Sequence, residues 1–245
     1  MSHPIFDQSV RQLRRTRALR FGGDRFLHDR ALEECLDRLR DIRWPIATAL
    51  IVGDHAKPWI RAVSQALPEA AVTAVSDQEL LYLEPGSFDL CLSIGELETS
   101  PDLTIAAFAL RHLLTPGGLL LGAIVGGNSL PRLRVAMLAA DRAGAGASPR
   151  IHPSIDGPSL SALLSAVGFV EPVVDVDRVE VSYASFDRLV ADLRAMGCTN
   201  MLVERSRRPL TRHQFTLARA AFLDGQDRAS ENFELLHFAA WAPQL

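Results

Sequence analysis

Four short apolar runs constrain this chain more than any other feature. They are Ala47-Thr48-Ala49-Leu50-Ile51-Val52-Gly53, Ala71–Val75, Phe88–Ser93 and Leu119–Val125. Each is too short for a buried helix and ends at Gly or at a polar residue, the pattern of a strand buried on both faces. Helical segments separate them. Strands alternating with helices predict an α/β fold built on a parallel sheet with right-handed crossovers. Ligands of such sheets lie beyond the carboxyl ends of the strands. The informative residues are therefore those that follow Val52, Val75, Ser93 and Val125.

Around these runs the periodicity predicts helices over Phe6–Arg20, Phe26–Arg40, Pro58–Leu67, Leu103–Leu114, Pro131–Arg142, Ser159–Val167, Ser185–Met196 and Pro209–Leu223. The first is basic, with Arg11, Arg14, Arg15, Arg17 and Arg20. It fits a solvated face, a lid or a surface for an anionic partner. Thr115-Pro116-Gly117-Gly118 is predicted as a turn before the fourth strand. Pro172–Val181 is a strand region broken by Asp175 and Asp177, and Phe233–Trp241 a final strand. No internal repeat occurs. The division that results is a helical N-terminal extension, 1–45, followed by one α/β domain, 46–245.

Composition excludes several classes. The net charge of −3 argues against a nucleic-acid binder. No apolar run approaches the ~20 residues of a membrane span. The three cysteines, Cys35, Cys91 and Cys198, have neither disulfide-framework nor metal-ligand spacing. No phosphate loop, nucleophile elbow or HExxH stands in the sequence. Lys57 is the only lysine among 26 basic side chains, a bias that a GC-rich genome explains.

Phe88-Asp89-Leu90, followed by Leu114-Thr115-Pro116-Gly117-Gly118-Leu119-Leu120, resembles the late part of class I S-adenosylmethionine-dependent methyltransferases. Further segments are similar to one subfamily, the complex I assembly factors that include an arginine hydroxylase. These are Phe6-Asp7 with the basic helix, and Gly126-Gly127-Asn128-Ser129-Leu130 with Leu133-Arg134. Ile151-His152-Pro153, the stretch from Val174 to Tyr183, and Asp192 to Asn200 continue the series. The resemblance implies a Rossmann-like sheet, S-adenosylmethionine as cofactor, and methyl transfer or arginine hydroxylation. It begins at Phe6, which leaves few residues for a cleavable leader. With the arginine-heavy composition this fits a bacterial cytoplasmic protein.

Two departures weigh against catalysis. The family follows its first strand with a loop of several glycines, because backbone without Cβ lets the methionine part of the cofactor approach. Here the stretch is Ile51-Val52-Gly53-Asp54-His55-Ala56-Lys57. Ile51 replaces the acidic residue, His55 and Lys57 replace glycines, and only Gly53 survives. The second departure is spacing. Two helix–strand units and a helix between the first and fourth strands need roughly 65–80 residues. Leu50 and Phe88 are 38 residues apart, so the sheet is expected to lack about one strand–helix unit on its early-strand edge.

The resemblance then places the candidate residues. Gly53, Asp54, His55 and Asp77 stand on the cofactor side. Asp77 fits the ribose-side acid, the adenine-side acid or a helix cap. Glu98-Thr99 replaces the family's His-Trp pair, and Glu98 is a possible general base or a solvated loop residue. On the substrate or partner side stand Arg134, His152, Asp175, Asp177, Tyr183 and Asn200. Asp175 and Asp177 alternate with Val, so both carboxylates share a face and match the fork of a guanidinium, or else form the polar face of an edge strand. The expectation is a methyltransferase-like pseudoenzyme that does not bind S-adenosylmethionine. It acts through a protein partner, in assembly or regulation of a respiratory complex such as complex I. The alternatives are an active methyltransferase or protein-arginine hydroxylase, and a binder of some other small ligand.

Overall fold

The first apolar run forms β1 (Thr48–Val52), buried from Ala49 onward. It lies inside a six-stranded sheet with β2 (Ala71–Val75), β3 (Phe88–Ile94), β4 (Leu114–Val125), β5 (Val170–Tyr183) and β6 (Ala229–Trp241). The order is β2-β1-β3-β4-β6-β5. The structure, a computed structural model, describes residues 4–53, 56–144 and 146–244. Pairings β1–β2, β1–β3 and β3–β4 are parallel. β4–β6 is antiparallel, from Leu119↔Trp241 to Val125↔Leu235, beside the parallel pairing expected of the four apolar runs. Many α/β sheets carry such an antiparallel strand beside parallel ones.

The shortened edge is present as expected. β2 ends the sheet beside β1, and between β2 and β3 the chain makes only a 3₁₀ turn, Glu79–Tyr82. With nothing beyond it among the described residues, β2 is only partly buried, unlike β1 and β3.

The helices are α1 (Gln8–Phe21), α2 (Phe26–Asp41), α3 (Ile60–Ala66), α4 (Leu103–Leu113), α5 (Pro131–Arg142), α6 (Gly157–Ala166), α7 (Phe186–Ala195) and α8 (Arg212–Leu223). Side-chain caps set several starts: the Asp7 carboxylate accepts from Val10 N, and Asp102 accepts from Thr104 N and Ile105 N. These bonds satisfy amides that a helix leaves unpaired.

By contacts the chain forms two compact units. One comprises Phe26–Val125, Ile155–Asp177 and the chain from Leu235. The other comprises the chain up to Arg25, Gly126–Ser154 and Arg178–Glu234. In the sheet unit, strand alternation sorts the core onto two faces. Leu50, Val52, Cys91, Leu120 and Phe238 pack with Leu110 and Leu113 of α4 and with Leu160 and Leu164 of α6. Ala49, Ile51, Leu90, Leu92 and Leu121 pack with Leu32, Cys35 and Leu39 of α2 and Val63 of α3. Each fully buried Leu or Ile contributes about 1.5–3 kcal/mol.

Asp89 ties the amino ends of three strands together. Its Oδ2 accepts from Ala47 N, Thr48 N and Thr48 Oγ1, and its Oδ1 from Thr115 Oγ1, all at 2.9–3.1 Å. This is also why Thr115–Gly118 is not the expected turn. β4 already starts at Leu114, opposite Phe88, and the register slips between Phe88 and Leu90 to absorb the extra residues. β5 is likewise one continuous strand rather than one broken at Asp175 and Asp177.

Candidate functional site

The loop after β1 starts from Gly53, whose N donates to Val75 O at 2.8 Å. Its φ is +129°, a conformation open to glycine and strained for other residues. A Cβ built there collides with the side chain of Glu96. Glu96 follows Gly95 at the end of β3 and is buried. Gly95, at φ +69°, is covered in turn by His28 of α2: a Cβ there would lie 2.7 Å from His28 Nε2. The His28 ring makes an edge contact with Trp59, centroids 6.4 Å apart. Trp59 Nε1 donates to Asp29 Oδ1 at 2.8 Å. The carboxyl ends of β1 and β3 are thus covered by Glu96, His28 and Trp59. None of the three was singled out in the sequence, because none belongs to a motif and each acts through contacts distant along the chain.

Asp54 and His55 lie outside the described residues. Lys57 opens the 3₁₀ turn Lys57–Trp59 and is exposed. Asp77 starts the turn two residues beyond β2. β2 pairs directly with β1, so Asp77 stands at the end of the second strand. Glu98 is not a solvated loop residue. It sits half-buried in the 3₁₀ turn Leu97–Thr99.

The residues assigned to the substrate or partner side do not form one constellation. Arg134 and His152 do come together, in the second unit. With Ile5, Pro153, Leu202 and Glu204 they line a cavity of about 460 Å³. His152 Nε2 accepts from Met201 N at 3.1 Å, and its ring makes an edge contact with Phe6. Burial, with the nearby positive Arg14, pulls its pKa down to about 4. It therefore stands as a neutral acceptor for the Met201 amide. Asn200 reaches the same wall, donating to Pro149 O at 2.8 Å and accepting from Leu202 N at 3.0 Å. Both functions of its amide are used in holding the loop. Tyr183 is elsewhere in this unit, buried, with its ring edge against Phe222. Burial and the Asp192 carboxylate raise its pKa.

Asp175 and Asp177 do share a face, and each is engaged by a guanidinium of this chain. Arg38 Nη2 lies 3.1 Å from Asp175, and Arg30 clasps Asp177 through Nε at 2.7 Å and Nη2 at 3.1 Å. Both arginines come from α2. In this structure the pair faces the arginines of α2. Arg30 holds the Asp177 pKa below the ordinary carboxylate value. Among the described residues no group of three His, Cys, Asp or Glu side chains could hold a metal.

A sheet of parallel strands in the order β2-β1-β3-β4, extended by an antiparallel strand, with a positive-φ glycine closing β1, defines the class I S-adenosylmethionine-dependent methyltransferase fold. The YcgJ protein of Bacillus subtilis superimposes with a TM-score of 0.51 at 10% identity, over 87% of this chain and all of that one. A Bacillus halodurans protein assigned as a methyltransferase gives 0.51 at 13% identity, over 85% and 97%. No family model matches the chain. The malonyl-[acyl-carrier protein] O-methyltransferase of Xylella fastidiosa is 30% identical over 208 residues, 82% of this chain and 68% of that protein. The mitochondrial arginine hydroxylase NDUFAF5 of mouse is 31% identical over 176 residues, 69% of this chain and 51% of that protein. The chain belongs to the S-adenosylmethionine-dependent methyltransferase family. It spans about half the length of the arginine hydroxylase. At the end of β1 the side chain of buried Glu96 stands against Gly53, and Ile51 packs in the core.

Proposed function

We propose that this chain has the methyltransferase fold without using S-adenosylmethionine, and acts by binding a protein partner. The observation that carries this reading is Glu96 standing over Gly53. A family member that binds its cofactor at this loop keeps that space open for backbone contact. His28 and Trp59 extend the cover across the end of β3. Gly53, Asp54, His55 and Asp77 are then remnants of a cofactor site. The role is assembly or regulation, of the kind that resemblance to the complex I assembly factors implies. Arg134 and the mouth of the cavity beside His152 are the partner-facing candidates of the second unit. No described helix is long and apolar enough to cross a membrane.

Calorimetric titration with S-adenosylmethionine and S-adenosylhomocysteine tests this. No heat of binding is expected from either. Micromolar binding would overturn the proposal. The alternative is an active methyltransferase or arginine hydroxylase. It draws on the 30% identity to the malonyl-[acyl-carrier protein] O-methyltransferase across most of this chain, and on the retained positive φ of Gly53.

A further inference from the structure

Shortening the sheet turns an interior strand into an edge. Ala71 N donates to Ala47 O, and Val75 O accepts from Gly53 N, both at 2.8 Å. Backbone groups alternate in direction along a strand. Ala71, Thr73 and Val75 therefore turn their N–H and C=O toward β1, and Val72 and Ala74 turn theirs away. Among the described residues no strand pairs with that side. Natural edges are blunted by charge, proline or a bulge. Ala71-Val72-Thr73-Ala74-Val75 has no charge and no proline, and its register with β1 is unbroken. The 3₁₀ turn that follows sets Leu80 and Leu83 against the core. It leaves Leu81 and Tyr82 84% and 85% exposed, among the most exposed large apolar side chains described.

We infer that the β2 edge receives an extended segment of a protein partner as an added strand, with Leu81 and Tyr82 packing on its apolar side chains. This rests on the reading above that the chain works by binding protein. Charge selects the occupant. Glu69 precedes the strand and Asp77 and Glu79 follow it, with Lys57 near enough to offset part of Glu79. Two copies of β2 paired antiparallel about Thr73 would satisfy the outward groups of Val72 and Ala74. They would also set Asp77 of each opposite Glu69 of the other, a like-charge pair that destabilises a ladder. An apolar strand with basic residues at both ends makes the same backbone bonds and meets the acidic flanks favourably.

The probe is a short fluorescein-labelled peptide of alternating valine and threonine, flanked by lysine pairs and titrated against the full chain. Anisotropy should rise on binding. A glutamate-flanked peptide of the same core should bind at least about tenfold more weakly. Ala74→Pro removes one outward N–H, leaves the bonds to β1 untouched, and should reduce binding by a similar factor. Hydrogen exchange on the unmodified chain gives an independent readout. The Val72 and Ala74 amides should exchange fast alone and slow at least about tenfold with the lysine peptide. Absence of that protection, or equal binding of both peptides, overturns the proposal. So does a dimer in sedimentation that Ala74→Pro dissolves, because the edge then belongs to a second copy. Heat from S-adenosylmethionine with the peptide still bound would overturn the cofactor reading and leave this one standing. A silent peptide with no heat from the cofactor would do the reverse.

Discussion

The side chain of Glu96 occupies the space in which any side chain at Gly53 would have to begin. Gly53→Ala therefore meets two penalties at once, a φ of +129° and a collision. The expected loss is about 2–3 kcal/mol, since a strained conformation of this kind costs of order 1–3 kcal/mol before any clash. Urea unfolding should show a lower midpoint with an unchanged slope. An unshifted midpoint would mean that Glu96 moves aside freely and covers nothing.

The same contact predicts the outcome of repairing the loop. His55→Gly with Lys57→Gly restores glycine at two family positions. S-adenosylmethionine binding is not expected to return, because Glu96 still stands over the remaining glycine. The ribose side also ends at a shortened edge. Calorimetry on the double variant decides, and a measurable heat of binding would show that the substituted loop alone was at fault.

Asp89 supports a third prediction. It accepts four hydrogen bonds from β1, its leading residue Ala47 and Thr115. Asp89→Ala leaves those donors unpaired and should cost about 2–4 kcal/mol, at roughly 1 kcal/mol or more for each partly buried donor. Burial raises the carboxyl pKa, and the bonds from Ala47, Thr48 and Thr115 more than offset that, so it lies below 3.8. A depressed carboxylate stabilises above its unfolded pKa, and that contribution is lost as pH falls through the folded value. Asp89→Asn should therefore flatten stability only below about pH 4. A difference in slope near neutrality would contradict the assignment.

These contacts show what the sequence could and could not reveal. The strand runs were legible because a strand buried on both faces must be continuously apolar, and β2 matched its expected span of Ala71–Val75. The missing unit was legible from the distance between Leu50 and Phe88. The Phe-Asp and Leu-Thr-Pro-Gly-Gly signatures were legible as family marks, but their physical role emerged only when Asp89 met Thr115. Other features depend on pairs far apart in the chain. Glu96 covers Gly53 from the end of the neighbouring strand, some forty residues on, and the arginines that engage Asp175 and Asp177 sit on α2, more than a hundred residues earlier. Alternation placed the two carboxylates on one face correctly; nothing local could say which guanidinium they would meet.

His152 gives the last prediction, and its pH window is separate from that of Asp89. Its ring is neutral in the folded chain because burial and the positive Arg14 lower its pKa from 6.5 to about 4. The unfolded chain protonates the same imidazole near 6.5. Between those values the unfolded state binds more protons, so stability rises with pH across the window. The contribution is complete above about 6.5 and is lost as pH falls toward 4. A shift of this size corresponds to roughly 3–4 kcal/mol. His152→Gln keeps an acceptor for Met201 N and removes the titration. It should be less stable at neutral pH, through loss of the edge contact with Phe6. It should also lose less stability than the unmodified chain between about pH 6.5 and 4.5. Urea midpoints across that interval compare the two slopes. Parallel slopes would mean that the folded ring protonates as readily as the unfolded one, and that burial and Arg14 do not hold it neutral.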